Sequence, residues 1–126
     1  MKFTPKTDAA VTEIKLALLA YDKRGAVISL NEDSDGLPGK PIHTWVLSKL
    51  GNIGNGFCVL TAVKSKQGLP VQKGTQYWVV AAARGKEAAY WDFAYKAPIG
   101  DFAVNHGAGW EKIDDYLSAF AVLGTR

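Results

Sequence analysis

The pattern of apolar and polar residues along the chain predicts a series of short β-strands. One apolar run, Tyr77–Ala83, follows Gly74 and is closed by Arg84 and Gly85. A short apolar run between turn residues is typical of a strand that is buried on both faces. Valine, tyrosine and tryptophan also suit a packed, pleated surface. We therefore predict that residues 74–83 form the central strand of the fold.

The segment Val11–Tyr21 allows two interpretations. The spacing of Val11, Ile14 and Leu18 suits one face of a helix, whereas the alternation of apolar with charged residues from position 13 to position 18 suits a strand. The alanines and leucines of the segment favour a helix. We prefer the strand, because Asp22–Gly25 then forms a hairpin turn into a second strand at residues 26–30.

The remaining apolar segments are short and are separated by turn-forming residues. We predict strands at residues 42–50, 57–63, 69–72, 88–95, 102–104, 110–113 and 119–123, with a turn at 64–68. Asn31–Pro41 is predicted to be a loop, since its prolines, glycines and acidic residues do not suit a central strand. About eight or nine short strands predict an all-β fold, an antiparallel β-sandwich or jelly roll. A single domain over residues 1–126 follows from the chain length.

Composition and charge exclude several classes of protein. With 48% apolar and 21% charged residues, the chain has the composition of a folded domain rather than a disordered one. Its net charge of +3 is carried mainly by dispersed lysines, whereas nucleic-acid binders gather lysine or arginine on one face. No nucleic-acid partner is therefore predicted.

No apolar run is long enough to cross a bilayer, and Met1–Pro5 lacks the apolar segment of a signal peptide. The single cysteine, Cys58, excludes an intrachain disulfide, and the oligomeric state stays open.

Several short motifs occur together in a characteristic order. They are Phe3-Thr4-Pro5, Leu30 through Asp33 to Gly36-Leu37-Pro38-Gly39, Gly74-Thr75-Gln76-Tyr77-Trp78-Val79-Val80, Trp91-Asp92-Phe93, Gly107-Ala108-Gly109-Trp110 and Phe120-Ala121-Val122-Leu123-Gly124. In this order they resemble the choice-of-anchor domains of bacterial exported proteins, in particular the type called choice-of-anchor R, which often precede a PEP-CTERM-like sorting tail. The resemblance implies an extracellular or cell-surface β-sandwich of undetermined molecular function, with a lectin-like role among the expectations. The chain departs from the family in lacking a signal peptide and an anchor tail, and in carrying Asp35 beside Gly36 where the family has a small residue.

An acidic segment suggests a cation site. Asn31, Asp33 and Asp35 alternate and are followed by Gly36, as in the first half of a calcium loop built from oxygen ligands. The position of the bidentate glutamate of an EF-hand is occupied by Ile42, which excludes that motif. Two interpretations of this segment are left open: a calcium-binding turn of looser geometry, or a turn whose Asp and Asn side chains form hydrogen bonds with the neighbouring backbone. Calcium is the one cofactor that the sequence leaves open, and no other is predicted.

Aromatic residues suggest a second kind of site. Sugar rings stack on flat side chains, and their hydroxyls need neighbouring polar groups. Trp91, Asp92, Asn105, His106 and Trp110 combine both features late in the sequence. We predict that they form a glycan-binding site. The alternative is that both tryptophans fill the core, since large aromatic side chains are mostly buried.

Catalysis has little support in the sequence. There are only two histidines, and no nucleophile motif, zinc-ligand spacing or phosphate-binding loop is present. We therefore predict a non-catalytic β-sandwich module rather than an enzyme. The family resemblance implies that it belongs to a bacterial exported protein, with carbohydrate as the expected ligand. The alternatives are a structural domain that self-associates without a small ligand, and a small hydrolase that uses His106 with Asp92 or Asp114.

Overall fold

The fold is all-β, as predicted. A computed structural model describes residues 1–20, 25–52, 60–84, 89–91, 93 and 96–126. Within these residues the strands are β1 Lys2–Phe3, β2 Ala9–Ala20, β3 Ala26–Ser34, β4 Leu37–Leu47, β5 Gly51–Asn52, β6 Leu60–Val71, β7 Tyr77–Ala83, β8 Ala89–Trp91, β9 Ile99–Asn105, β10 Trp110–Tyr116 and β11 Phe120–Thr125. Nine of these strands are longer than two residues. No helix in the described residues has the length and apolar character needed to cross a membrane.

The strands form two main sheets and one separate hairpin. The first sheet has four strands in the order β1-β7-β3-β4. The second sheet is built around β2, which pairs with β11, β6, β8 and, in parallel, β5. The remaining strands, β9 and β10, pair only with each other within the described residues. The β9–β10 hairpin is therefore an addition to the sandwich rather than part of either sheet.

The hydrophobic core lies between the two main sheets. Ile14, Leu16 and Leu18 of β2 are buried, and they alternate with the more polar residues of the same strand. From the other sheet, Ile28 and Val79 are completely buried in the same apolar cluster. Since successive side chains of a strand point to opposite faces, this alternation fixes which face of each strand meets the core. The preference for a strand over a helix at residues 11–20 is thus confirmed.

The predicted hairpin between β2 and β3 is wrong. The strand β3 pairs with β4 and β7, and β2 pairs with strands of the other sheet. The chain therefore crosses from one sheet to the other between these strands, which the local turn residues could not indicate. Positions 21–24 themselves lie outside the described residues.

The predicted loop at Asn31–Pro41 is also wrong, because these residues form most of a β-hairpin. The turn has only two residues, Asp35 and Gly36, with φ values of 54° and 78°. Positive φ at both central residues is the two-residue turn that matches the twist of paired strands. The prolines lie on β4, an edge strand of the sheet, where a missing N–H is tolerated. Register shifts next to Asn31 accommodate the irregular sequence.

The predicted turn at residues 64–68 is a bulge inside one long strand. The strand β6 runs from Leu60 to Val71 without interruption. Its register against β2 shifts where Glu13 faces Lys64 and Val11 faces Leu69, so extra residues of β6 lie between these pairs. Turn-forming residues thus mark a disruption of the ladder here, not the end of a strand.

The predicted central strand corresponds to β7, which lies between β1 and β3. Tyr77, Trp78 and Val79 are buried on both faces of the sheet, as predicted. The second half of the strand becomes progressively exposed, and Ala82 and Ala83 are open to solvent. This exposed half of β7 borders the site described next.

Candidate functional site

A cavity of about 690 Å³ lies between the four-stranded sheet and the β9–β10 hairpin. Residues Val79–Ala83 of β7 line one side, and residues of β9 and β10 line the other. Met1, Pro38 and the end of β8 also contribute. The volume falls within the range of roughly 300–1,000 Å³ that is usual for small-molecule sites.

Charged residues hold the hairpin against the sheet. The Lys2 ammonium of β1 forms a salt bridge with Asp101 of β9 and lowers the pKa of that carboxyl. On β10, the Lys112 ammonium lies over the β3–β4 turn, where a Cβ built on Gly36 would be 2.8 Å from Lys112 Nζ. The salt bridge therefore connects the hairpin to β1, Lys112 lies close to the β3–β4 turn, and the cavity remains between the hairpin and β7.

Four of the five residues predicted for a glycan site line this cavity. They are Trp91, Asn105, His106 and Trp110, and the fifth, Asp92, lies outside the described residues. The register of the hairpin places Asn105 directly opposite Trp110, and His106 follows at the turn. The structure thus brings together side chains that the sequence separates by up to nineteen positions, from 91 to 110.

The two tryptophans are neither fully buried nor fully exposed. Trp91 Nε1 donates a hydrogen bond to the Ala119 carbonyl at 2.9 Å, and its ring meets Phe120 edge to face at a centroid distance of 6.0 Å. Ser118 Oγ donates to the Trp91 carbonyl at 3.1 Å. These contacts fix Trp91, which is half-buried, as is Trp110. Trp91 packs in part against the core, whereas Trp110 is not among the residues that pack against the core cluster.

Two further aromatic residues of the cavity were not predicted as site residues. The rings of Phe93 and Tyr116 stack at a centroid distance of 5.3 Å and an interplanar angle of 17°. Both side chains are about half exposed, 53% for Phe93 and 49% for Tyr116. The predicted strand 110–113 stops short of Tyr116, whereas β10 continues through it. Alternation along a longer strand would have indicated that it shares a face with Trp110.

Polar groups in the cavity keep free hydrogen-bonding capacity. Asn105 Oδ1 accepts a hydrogen bond from the Gly107 N–H at 2.8 Å, which leaves the Asn105 amide nitrogen without a partner in the described residues. His106 is exposed at the hairpin turn. These groups can donate to and accept from a polyhydroxylated ligand.

The amino terminus also borders the cavity. The Met1 amino group donates to the Val79 carbonyl at 2.8 Å, and the Val79 N–H donates to the Met1 carbonyl at 2.8 Å. Burial lowers the pKa of this amino group to about 5, because desolvation disfavours its charged form. It is therefore largely neutral at pH 7.

The three residues predicted to bind calcium do not form a ligand set. Asn31 Oδ1 accepts from Ser29 Oγ at 2.6 Å, and Asn31 Nδ2 donates to the Gly39 carbonyl at 2.7 Å. Asp33 accepts hydrogen bonds from the Trp78 indole, the Gln76 amide and the backbone of the turn. Asp35 occupies the turn itself. The described residues contain no group of three or more His, Cys, Asp or Glu side chains placed to hold a metal ion.

Of the two carboxylates named in the hydrolase alternative, Asp92 lies outside the described residues, and Asp114 lies far from His106. His106 lies at the turn of the hairpin, whereas Asp114 pairs with Asp101 near its other end. Four residues separate Asp114 from Trp110 at the turn, which corresponds to about 13 Å along a strand. Asp114 is thus too distant to orient the His106 ring.

Comparisons with known proteins give no relative of this chain: no protein-family model, curated protein or solved structure matches it. The resemblance to choice-of-anchor domains stays a prediction from the sequence motifs.

Proposed function

We propose that the protein is a non-catalytic β-sandwich module that binds carbohydrate in the cavity between β7 and the β9–β10 hairpin. By the resemblance of its motifs, it would act outside the cell or at the cell surface of a bacterium. The sugar would stack on the exposed aromatic rings, and its hydroxyls would bond to Asn105 and His106.

The observation that carries this proposal is the combination of exposed aromatic rings and unused polar groups in one cavity. Three aromatic side chains of the cavity are partly open to solvent: Phe93, Trp110 and Tyr116. A ligand that covered these rings would remove a large apolar area from water, which favours binding. Asn105 keeps its amide nitrogen free beside these rings, and His106 follows it at the hairpin turn. A site for a purely apolar ligand would leave those polar groups unsatisfied, at a cost in affinity.

A glycan array tests the proposal. The wild-type protein should bind at least one glycan, and Trp110→Ala and Tyr116→Ala should weaken binding by about tenfold or more. This size is expected because an aromatic anchor in a binding pocket contributes about 2 kcal/mol.

His43→Ala is the matched control. His43 is an exposed aromatic residue on β4 that does not line the cavity and contacts Trp45 edge to face at 4.7 Å. This variant should bind glycan like the wild type. Absence of binding to every glycan on the array, with a folded wild-type protein, would overturn the proposal. Equal losses in the Trp110 and His43 variants would also contradict the proposed location.

A second candidate, self-association, is supported by two exposed apolar side chains. Val46 on β4 and Leu60 on β6 are 62% and 63% exposed. Their strands are neighbours, since Trp45 Nε1 of β4 donates to the Lys64 carbonyl of β6 at 3.0 Å. Sedimentation velocity of the wild type and Val46→Lys tests this candidate. A monomer in both samples at every concentration would reject it.

A further inference from the structure

We propose that the cavity is an extended groove with two aromatic platforms, and that it binds a linear glycan chain of several sugar units rather than a single terminal sugar. This inference rests on the proposed function and specifies its ligand class. The turn platform is Trp110, beside the turn of the β9–β10 hairpin. The base platform is the stacked pair of Phe93 and Tyr116, at the other end of β10.

The register of the hairpin separates the two platforms. Trp110 begins β10 at the turn, whereas Tyr116 pairs with Ile99 at the last position of the ladder. Beyond that pair, the Leu117 N–H donates to the Pro98 carbonyl at 2.9 Å and closes the base of the hairpin. Six positions of an extended strand cover about 20 Å, and the even spacing places both side chains on one face of β10. The two platforms therefore lie at opposite ends of one cavity.

The cavity is narrow compared with its length. Its volume of about 690 Å³, spread over about 20 Å, gives a mean cross-section of about 35 Å². A sugar ring is similar in size to the ring of Tyr116, so one sugar unit cannot contact both platforms. A chain of several linked units that lies along the groove can contact both at once.

The wall opposite the hairpin carries small side chains. Residues Ala81–Ala83 of β7 line the cavity. Ala81 packs against the core cluster, so the exposed Ala82 points away from the core. Methyl groups along this wall leave room for a chain that passes from one platform to the other.

Each platform has polar groups beside it that can bond to sugar hydroxyls. Asn105 lies directly opposite Trp110, and His106 follows it at the turn. At the base, Ser118 lines the cavity, and its Oγ donates to the Trp91 carbonyl at 3.1 Å. The lone pairs of this hydroxyl can accept hydrogen bonds from a ligand. The groove thus repeats the combination of a flat ring and polar neighbours at both ends.

Titration calorimetry with linear oligosaccharides of increasing length tests the inference. The series runs from the disaccharide to the hexasaccharide of a glycan that binds on the array. Wild-type affinity should rise by at least about tenfold along the series, because contact with the second platform becomes intramolecular once the first is occupied. Tyr116→Ala should remove this rise and leave the affinity for the disaccharide unchanged. Trp110→Ala should weaken the binding of every member.

Tyr116→Phe is the matched control, since it keeps the ring and removes only the hydroxyl group. This variant should retain the full dependence of affinity on chain length. Loss of that dependence in Tyr116→Phe, or an equal loss of affinity at every length in Tyr116→Ala, would overturn the role of the Tyr116 ring as a second platform.

The remaining failures are distinguishable. Equal affinity of the wild type for all members of the series would overturn the extended groove while leaving glycan binding intact. Failure of the folded wild type to bind any glycan, on the array or in solution, would overturn the proposed function itself.

Discussion

At the scale of single residues, Asp33 accepts three hydrogen bonds from other described residues. Its carboxylate accepts from Trp78 Nε1 and Gln76 Nε2, both at 2.6 Å, and from the Gly36 N–H at 3.0 Å. The Trp78 side chain is almost completely buried, so its indole N–H has no alternative in water. Asp33 therefore ties the β3–β4 turn to the start of β7.

We predict that Asp33→Asn destabilises the protein by about 1–3 kcal/mol, because an amide replaces an acceptor that serves three donors. The hydrogen bonds, that from Trp78 foremost, lower the pKa of Asp33. Its contribution to stability is thus complete above the pKa of the unfolded carboxyl and is lost as the pH falls below that value. Urea unfolding between pH 2 and 7 should show a weaker acid dependence in the variant. Asp35→Asn on the same turn is the control, and an equal effect there would contradict the assignment.

The Met1 amino group makes a second pH-dependent contribution, in the neutral range. Its pKa is lowered from 8.0 to about 5 in the folded protein. Between these values the unfolded chain binds a proton that the folded chain does not, so stability rises with pH through this window. For a chain whose free amino group is that of Met1, we expect an increase on the order of 3 kcal/mol from pH 5 to pH 8.

Nα-acetylation provides the comparison for this prediction, since it removes the titrating group. Unfolding curves of the free and the acetylated protein should have different slopes of stability against pH between pH 5 and 8. Identical slopes would show that the amino group does not titrate in a buried environment.

At the scale of the elements, Gly25 allows the start of β3 to lie close against the end of β4. A Cβ on Gly25 would lie 1.4 Å from the Leu47 carbonyl oxygen, which is backbone and cannot move independently. We predict that Gly25→Ala destabilises the protein by about 3 kcal/mol. Gly74→Ala is the control: φ is +75° and no atom lies within 4 Å, so only the left-handed backbone costs about 1 kcal/mol. Thermal unfolding that ranks Gly74→Ala as the more damaging change would refute this reasoning.

The sequence predicted those strands whose residues alternate regularly. In β2 the alternation of Ile14, Leu16 and Leu18 with charged residues identified both the strand and its buried face. It did not predict the pairing. The turn residues at positions 21–25 could equally join two strands of one sheet or connect the two sheets. The β3–β4 hairpin was missed because its polar residues satisfy one another, as Asn31 does with Ser29, and such pairing is not visible in hydropathy.

The sequence predicted only part of the candidate site. Clustering of aromatic and polar residues indicated Trp91, Asn105 and Trp110 before their positions were known. Phe93 and Tyr116 were not among the predicted site residues, and the predicted strand 110–113 ended before Tyr116. The calcium interpretation of Asp33 came from spacing alone, and spacing does not tell whether the oxygens are already used by donors of the protein.

At the scale of the whole molecule, the cavity lies between the two well-packed main sheets and a hairpin with few buried contacts. All the residues of the central apolar cluster belong to or adjoin the two main sheets, and none is from β9 or β10. The hairpin contributes half-buried side chains such as Phe102 and Ile113, and it is held by an exposed salt bridge between Lys2 and Asp101. Elements with few buried contacts open at lower free energy than the core does.

Hydrogen exchange therefore should separate two levels of protection in the same chain. We predict that amides of β9 and β10 exchange through local opening, faster than those of β2, β3 and β7, whose exchange requires global unfolding. Lys2→Ala should accelerate exchange in the hairpin alone, while the melting temperature stays close to that of the wild type, because an exposed ion pair contributes little to global stability. A saturating glycan should slow exchange in the same strands, since a ligand in the cavity contacts both the hairpin and β7. Uniform protection across all strands would mean that the hairpin unfolds together with the two main sheets. The cavity would then exist before a ligand binds, rather than close around it.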